Sequence, residues 1–174
     1  MLIIIEGVDG TGKTTLASLF HDYYNAKILH RGVPVKHPLI EYTADLAGYR
    51  PGSGKHIVCD RWHIGELVYG PLYRGYSALS SSAFVAVDEL LFENGALLVH
   101  AKDNIDVILR RLSIRSRFDE PDRAALAQAQ AGFERVLPLS ILPRIAFSAS
   151  GELLRSVNDI ASMAREVEAA ACQK

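Results

Sequence analysis

The residues best suited to chemistry lie near the start of the chain, where Gly7-Val8-Asp9-Gly10-Thr11-Gly12-Lys13-Thr14 fits the pattern G-x-x-x-x-G-K-[ST]. Glycines at these spacings allow positive φ angles, so successive backbone N–H groups can turn onto phosphate oxygens. A helix opening near Lys13 adds the positive end of its dipole. The Lys13 ammonium supplies a point charge for β- and γ-phosphates, and the Thr14 hydroxyl is placed to ligate Mg²⁺. Gly7, Asp9, Gly10, Thr11, Gly12, Lys13, Thr14 and Thr15 are therefore the predicted nucleoside triphosphate contacts. The context agrees: an apolar run, Leu2–Ile5, precedes the turn, and an amphipathic pattern follows it.

Further along, Asp60-Arg61 closes another apolar run, His56–Cys59. Phosphoryl transfer needs in-line placement and neutralisation of charge, with little covalent chemistry. A guanidinium can grip an incoming phosphate with two parallel hydrogen bonds, which makes Arg61 the candidate for the acceptor; a salt bridge to a nearby carboxylate is the structural alternative. Asp60 would orient Mg²⁺ or a bound water from a strand's carboxyl end. A plain helix N-cap is its alternative role. Were the acceptor a hydroxyl, Asp60 or Glu66 would become the proton acceptor. Glu6 reads as a structural hydrogen-bond acceptor at a strand end. The basic segment Arg110-Arg111-Leu112-Ser113-Ile114-Arg115-Ser116-Arg117 is suited to closing over a transferring phosphoryl group. A solvated helix end rich in arginine is the other reading.

The string Ile5-Glu6-Gly7-Val8-Asp9-Gly10-Thr11-Gly12-Lys13-Thr14-Thr15 resembles the opening of thymidylate kinases, and Asp60-Arg61 is similar to that family's Asp-Arg motif. The resemblance implies that Asp9 lies near acceptor and metal, that Arg61 holds the acceptor phosphate, and that Arg31 approaches the same phosphate. It also implies a mobile lid around residues 110–122. The loop has Gly10 where some family members carry a catalytic arginine, so the transition-state arginine is expected from Arg115 or Arg117, supported by Arg111, which is also expected to contact the ATP. The segment Gly65-Glu66-Leu67-Val68-Tyr69-Gly70-Pro71-Leu72-Tyr73-Arg74-Gly75 departs from typical cellular enzymes and resembles compact thymidylate-kinase-like proteins of bacteriophages. His63, Glu66, Tyr69 and Arg74 are the candidates there for reading sugar or base. What the resemblance implies is Mg-ATP-dependent phosphorylation of a deoxynucleoside monophosphate, dTMP first, by a homodimer. A hydroxyl of a nucleoside, or of a modified base in DNA, is the alternative acceptor, and nucleic acid is a partner only in that case.

Positioning these groups requires strands that alternate with helices. Short apolar runs at Leu2–Ile5, Lys27–His30, His56–Cys59, Ala96–Val99 and Arg144–Phe147 predict five strands. Leu16, Leu19, Phe20, Tyr23 and Tyr24 form the stripe of the first helix. Helices are also expected over Pro38–Tyr49, from Asp60 to a stop near Gly70-Pro71, after the Ser80-Ser81-Ser82 cap, through Ile105–Leu112, up to Leu137, and around Val157–Val167. This alternation implies an α/β three-layer sandwich with a mostly parallel five-stranded sheet, the P-loop NTPase architecture, in one domain spanning residues 1–174.

Composition bounds the rest. A chain of 174 residues with 49% hydrophobic and 22% charged residues is that of a globular protein. A net charge of −1 gives no bulk attraction for nucleic acid or anionic membrane. The apolar start breaks at Glu6-Gly7, too early for a membrane span, which predicts a soluble, cytoplasmic protein, or a host-cytoplasmic one if phage-encoded. Two cysteines make no disulfide framework, and Cys59 reads as a small buried side chain. The six histidines lack metal-ligand spacing.

Overall fold

The computed structural model describes residues 1–33, 37–115, 122–151 and 153–173, with the side chains of 115 and 153–155 outside that set. Its strands are β1 (Leu2–Glu6), β2 (Lys27–His30), β3 (Ile57–Asp60), β4 (Ala96–Ala101) and β5 (Arg144–Phe147). They form one parallel sheet in the order β2-β3-β1-β4-β5. The helices are α1 (Lys13–Tyr24), α2 (Pro38–Asp45), α3 (His63–Arg74), α4 (Ser81–Glu93), α5 (Ile105–Arg115), α6 (Arg123–Val136) and α7 (Leu153–Ala171).

The central strands are buried on both faces, which is why β1 and β4 read as unbroken apolar runs. Alternate residues divide between two cores. Leu2, Ile4, Cys59 and Leu98 pack with Tyr42 of α2, Trp62 just before α3, Phe84 of α4 and Phe133 of α6. Ile3, Ile5, Val58 and Val99 pack with Leu16, Phe20, Val157 and Ile160 from α1 and α7. Strand order reverses about β1, with β3 on one side and β4 on the other, so a crevice opens at their carboxyl ends. Ile5 pairs with Asp60, and Glu6 with His100, so both motifs emerge at that edge.

Three elements differ from the sequence reading. The first is α3, which runs through Pro71 to Arg74 rather than stopping near Gly70-Pro71. Proline forfeits a single backbone donor, and Gly75, at φ +79°, is where the helix closes, with its N–H donating to the Pro71 carbonyl at 3.2 Å. In α2 the helix ends at Asp45 instead of Tyr49, because Ala47 and Tyr49 bond three residues back and tighten the chain into a turn. Along α1 the buried stripe turns toward Ala17, Phe20 and the half-buried Tyr24, leaving Tyr23 57% exposed.

Two contacts fix α3, the helix that follows Asp60-Arg61. Gly132 of α6 sits so close to it that a Cβ there would lie 2.7 Å from Val68 Cγ1. Buried Asp88 of α4 accepts hydrogen bonds from His63 Nε2 at 2.8 Å, Ser140 Oγ at 2.8 Å and the Ile141 N–H at 2.6 Å. Burial pushes the Asp88 carboxyl up, but these bonds outweigh it and hold the group below the usual carboxylate range. The expected cap at Ser80 forms, its Oγ accepting from the Ala83 N–H, and Asp122 caps α6 by accepting from the Ala124 N–H, each worth about 1 kcal/mol.

Candidate active site

The phosphate loop joins β1 to α1 and is held by what its glycines permit. At Gly7, φ is +145° and a Cβ would come within 2.0 Å of the Ala101 carbonyl oxygen, so the loop leaves β1 pressed against β4. At Gly10, φ is +80° and a Cβ would sit 3.0 Å from both Ile108 Cγ2 and Leu112 Cγ of α5. An arginine at that position would meet both strain and a packed helix.

Lys13 and Thr11 converge on one carbonyl. The Val8 oxygen accepts from Lys13 Nζ at 2.6 Å and from Thr11 Oγ1 at 2.7 Å. Lys13 is 5% exposed, and burial, reinforced by the Arg61 charge, pushes its ammonium down to about 8, against the opposing pull of Asp9, Asp60 and Glu6. Thr14 Oγ1 donates to Asp60 Oδ2 at 2.7 Å, while buried Asp60 Oδ1 has no partner among the described residues. Thr15 lies exposed in the first turn of α1. Glu6 takes the structural part expected of it: its Oε1 accepts from the Trp62 N–H at 2.8 Å and the Gly65 N–H at 3.0 Å, tying β1 to the start of α3. Its carboxyl is raised by burial.

The two motifs meet through Arg61 and Asp9. Arg61 adopts φ +66°, uncommon for a residue with a side chain, and its Nη2 pairs with Asp9 Oδ1. Both line a cavity of about 420 Å³ with Arg31, Tyr42, Trp62, Glu66, Tyr69 and Arg74. The cavity thus brings together Asp9, Arg31, Arg61, Glu66, Tyr69 and Arg74 of the residues predicted for the acceptor side, though several have structural duties too. Arg31 is held by Asp45, by Glu41 Oε2 at 3.1 Å and by the Glu41 carbonyl at 2.9 Å. Glu66 is buried and accepts from Arg74 and, at 2.7 Å, from the Ala78 N–H. Tyr69 stacks on Tyr73 at 5.8 Å, with the Arg61 guanidinium 5.9 Å from its ring centre. His63, by contrast, is wholly buried against Asp88 and Phe84 and is absent from the cavity wall.

On the other side of the loop, Arg111 Nη1 donates to the Gly10 carbonyl at 3.2 Å and to Asp103 Oδ2 at 2.8 Å. Asp103 Oδ1 also accepts from Ser150 Oγ at 2.6 Å and Ser148 Oγ at 3.0 Å. Arg115 ends α5, and Arg117 with the rest of residues 116–121 of the predicted lid lies outside the described residues. Sequence reading missed Asp103, and also His30, whose Nδ1 lies 3.5 Å from Asp60 Oδ2. The only sequence signal for His30 was its place at the end of a strand beside the one that carries Asp60.

Comparison with known proteins agrees with this geometry at the level of fold. No protein-family model matches the chain, and no curated protein matches it in sequence. Among solved structures, the YorR protein from Bacillus subtilis, in complex with phosphorylated GDP, has a TM-score of 0.77 at 20% identity, over 94% of this chain and 95% of that one. Deoxyadenosine kinase from M. mycoides with bound dATP has a TM-score of 0.62 at 14% identity, over 93% and 98%. Polyphosphate kinase 2 from Arthrobacter aurescens TC1 has a TM-score of 0.67 at 15% identity, over 97% and 66%. The fold is that of P-loop kinases. No helix among the described residues is long and apolar enough to cross a membrane.

Proposed function

We propose that the protein is a nucleotide kinase that moves the γ-phosphoryl group of Mg-ATP onto a deoxynucleoside monophosphate, with dTMP the first candidate. The observation that carries this reading is the junction of Asp9 and Arg61, which brings a guanidinium from the second motif to the mouth of the phosphate loop and into a cavity large enough for one nucleotide. The kinase folds among the structural neighbours support the donor side, and the Asp-Arg resemblance supports the acceptor.

The wall of that cavity supports an acceptor-rich ligand. Its carboxylates, Asp9 and Glu66, are both taken up by arginines. Four of its buried donor atoms, Arg61 Nε, Trp62 Nε1, Tyr69 Oη and Arg74 Nε, have no hydrogen-bond partner among the described residues. A dianionic phosphate and a keto-bearing base supply what such a wall lacks. Tyr69 and Tyr73, stacked on each other in the wall, offer aromatic surface to a planar base.

Thr14 and Asp60 fit Mg²⁺. They present a hydroxyl and a carboxylate side by side, with Asp60 Oδ1 buried and unpartnered among the described residues, and Mg²⁺ commonly takes only one or two protein oxygens beside substrate phosphates and water. When bound there, the ion neutralises charge on the β- and γ-phosphates. The chain's own part is positional. Lys13 and the loop amides hold the donor, Arg61 draws the acceptor phosphate into line, and Arg115 or Arg117 closes from the lid to exclude water.

The Asp9–Arg61 pair also favours a second reading, since a half-exposed carboxylate beside the cavity suits an acceptor hydroxyl that must lose a proton. Nucleosides, or a modified base in DNA, are the acceptors in that case. An ADP-release assay with Mg-ATP against nucleosides, nucleoside monophosphates and DNA decides between them. Turnover is expected with dTMP or another deoxynucleoside monophosphate. In Arg61→Ala it is expected to fall by about 100-fold or more, since two charge-assisted hydrogen bonds are lost. Turnover confined to nucleosides or DNA rejects the monophosphate assignment.

A further inference from the structure

We infer that Asp103 is the positioning residue of the donor side, holding Arg111 and the turn 148–151 against the phosphate loop. This rests on the proposed kinase reading and adds a residue that none of its motifs contains. Asp103 follows β4 at the carboxyl edge, and its side chain is 7% exposed. One of its oxygens receives Arg111 Nη1, and the other receives both Ser148 Oγ and Ser150 Oγ. Its own carbonyl accepts from Gln130 Nε2 of α6 at 3.0 Å, so the carboxylate stands on an anchored segment.

The two groups it holds touch the phosphate loop directly. Arg111 donates to the Gly10 carbonyl, beside which α5 is so close that a Cβ on Gly10 would meet Ile108 and Leu112. Ala149, between the two serines, lies where a Cβ on Gly12 would come within 2.6 Å of its own Cβ. The carboxylate therefore fixes the spacing of α5 and the turn 148–151 on either side of Gly10–Gly12. Burial pushes the Asp103 carboxyl up, but the bonds from Ser150, Arg111 and Ser148 outweigh it and hold the group below the usual carboxylate range. It is a full anion at neutral pH, and its bonds are the strong, charge-assisted kind.

With three hydrogen bonds on its two oxygens and a side chain 7% exposed, Asp103 acts through the groups it holds rather than on a substrate. Removing the carboxylate frees the guanidinium and both serines at once, and the loss falls on the donor nucleotide.

The test measures ADP binding by calorimetry and steady-state KM for ATP and for acceptor in the full chain. In Asp103→Ala, ADP affinity is expected to weaken about tenfold and KM for ATP to rise by a similar factor, with acceptor KM within twofold of the parent. Arg111→Ala should weaken ADP binding as well, and the double variant should lose less than the sum of the two single losses. Asp103→Asn, which keeps the shape and one acceptor oxygen, serves should the alanine variant not fold, and is expected to weaken ADP severalfold. Additive losses in the double variant overturn the inference, as do equal losses for donor and acceptor. Lys13→Ala separates the two claims. If it abolishes ADP binding while the Asp103 variants bind normally, the positioning role is wrong and the kinase reading stands. If ADP binding survives in Lys13→Ala as well, the phosphate-loop assignment fails and the inference falls with it.

Discussion

Burying an ammonium group strips its hydration, and Lys13 shows the result as a proton affinity depressed to about 8, where an exposed lysine holds its proton to 10.5. The unfolded chain therefore binds more protons than the folded one between these two values. Below pH 8 the folded protein carries the whole penalty of a buried charge, and as pH climbs from 8 toward 10.5 that penalty is relieved. Chemical denaturation across pH 7 to 10 is expected to show a rise in stability from this group, flattened in Lys13→Met. A bound polyphosphate restores the proton. Nucleotide binding near pH 9 should then take up a fraction of a proton, seen as a buffer-dependent binding enthalpy, and near pH 6 it should take up none. The phosphate loop was legible in the sequence because its chemistry is contiguous. Asp103 was not, because Arg111 is 8 residues away and Ser148 and Ser150 are 45 and 47 away, and none of the four signals its partners.

At the scale of elements, the site depends on where α3 begins, and α6 sets that helix's distance from the sheet. Gly132→Ala would drive a methyl group into Val68, a β-branched side chain with little freedom to turn away. A loss of about 1–3 kcal/mol is expected in denaturant titration, recovered in large part by adding Val68→Ala; additive losses would show that the contact is not the cause. The strand pattern was readable to the residue at β2 and β5 and within one or two residues elsewhere, because short β-branched runs bounded by polar turns leave few alternatives. Helix ends were less so. Pro71 and Gly70 read as a stop, yet the tight contact of Gly70 with Glu66 and the Tyr76 carbonyl is what a continuing helix packed against its own C-terminal turn requires. Tertiary packing outweighed local propensity there.

On the scale of the whole molecule, the parallel sheet sends every candidate group to one edge, with His30 and Asp60 in register with Ile5, and Glu6 with His100 one residue further along. A ligand bound at that edge touches segments from the first turn to beyond β4, so it should stabilise the chain as a unit. ADP with Mg²⁺ at about 100 times its Kd is expected to add about 2.7 kcal/mol, read as a raised unfolding midpoint, and Lys13→Ala should abolish the rise. The Asp9–Arg61 contact carries this further. Asp9 also lies 3.8 Å from Lys13, so one carboxylate sits between the cation assigned to the donor and the cation assigned to the acceptor. An anion that draws Arg61 away leaves Asp9 with Lys13 as its remaining counter-ion, and an anion that draws Lys13 away leaves it with Arg61. Each substrate then alters the electrostatic cost of admitting the other, and by thermodynamic reciprocity the two affinities change by the same factor.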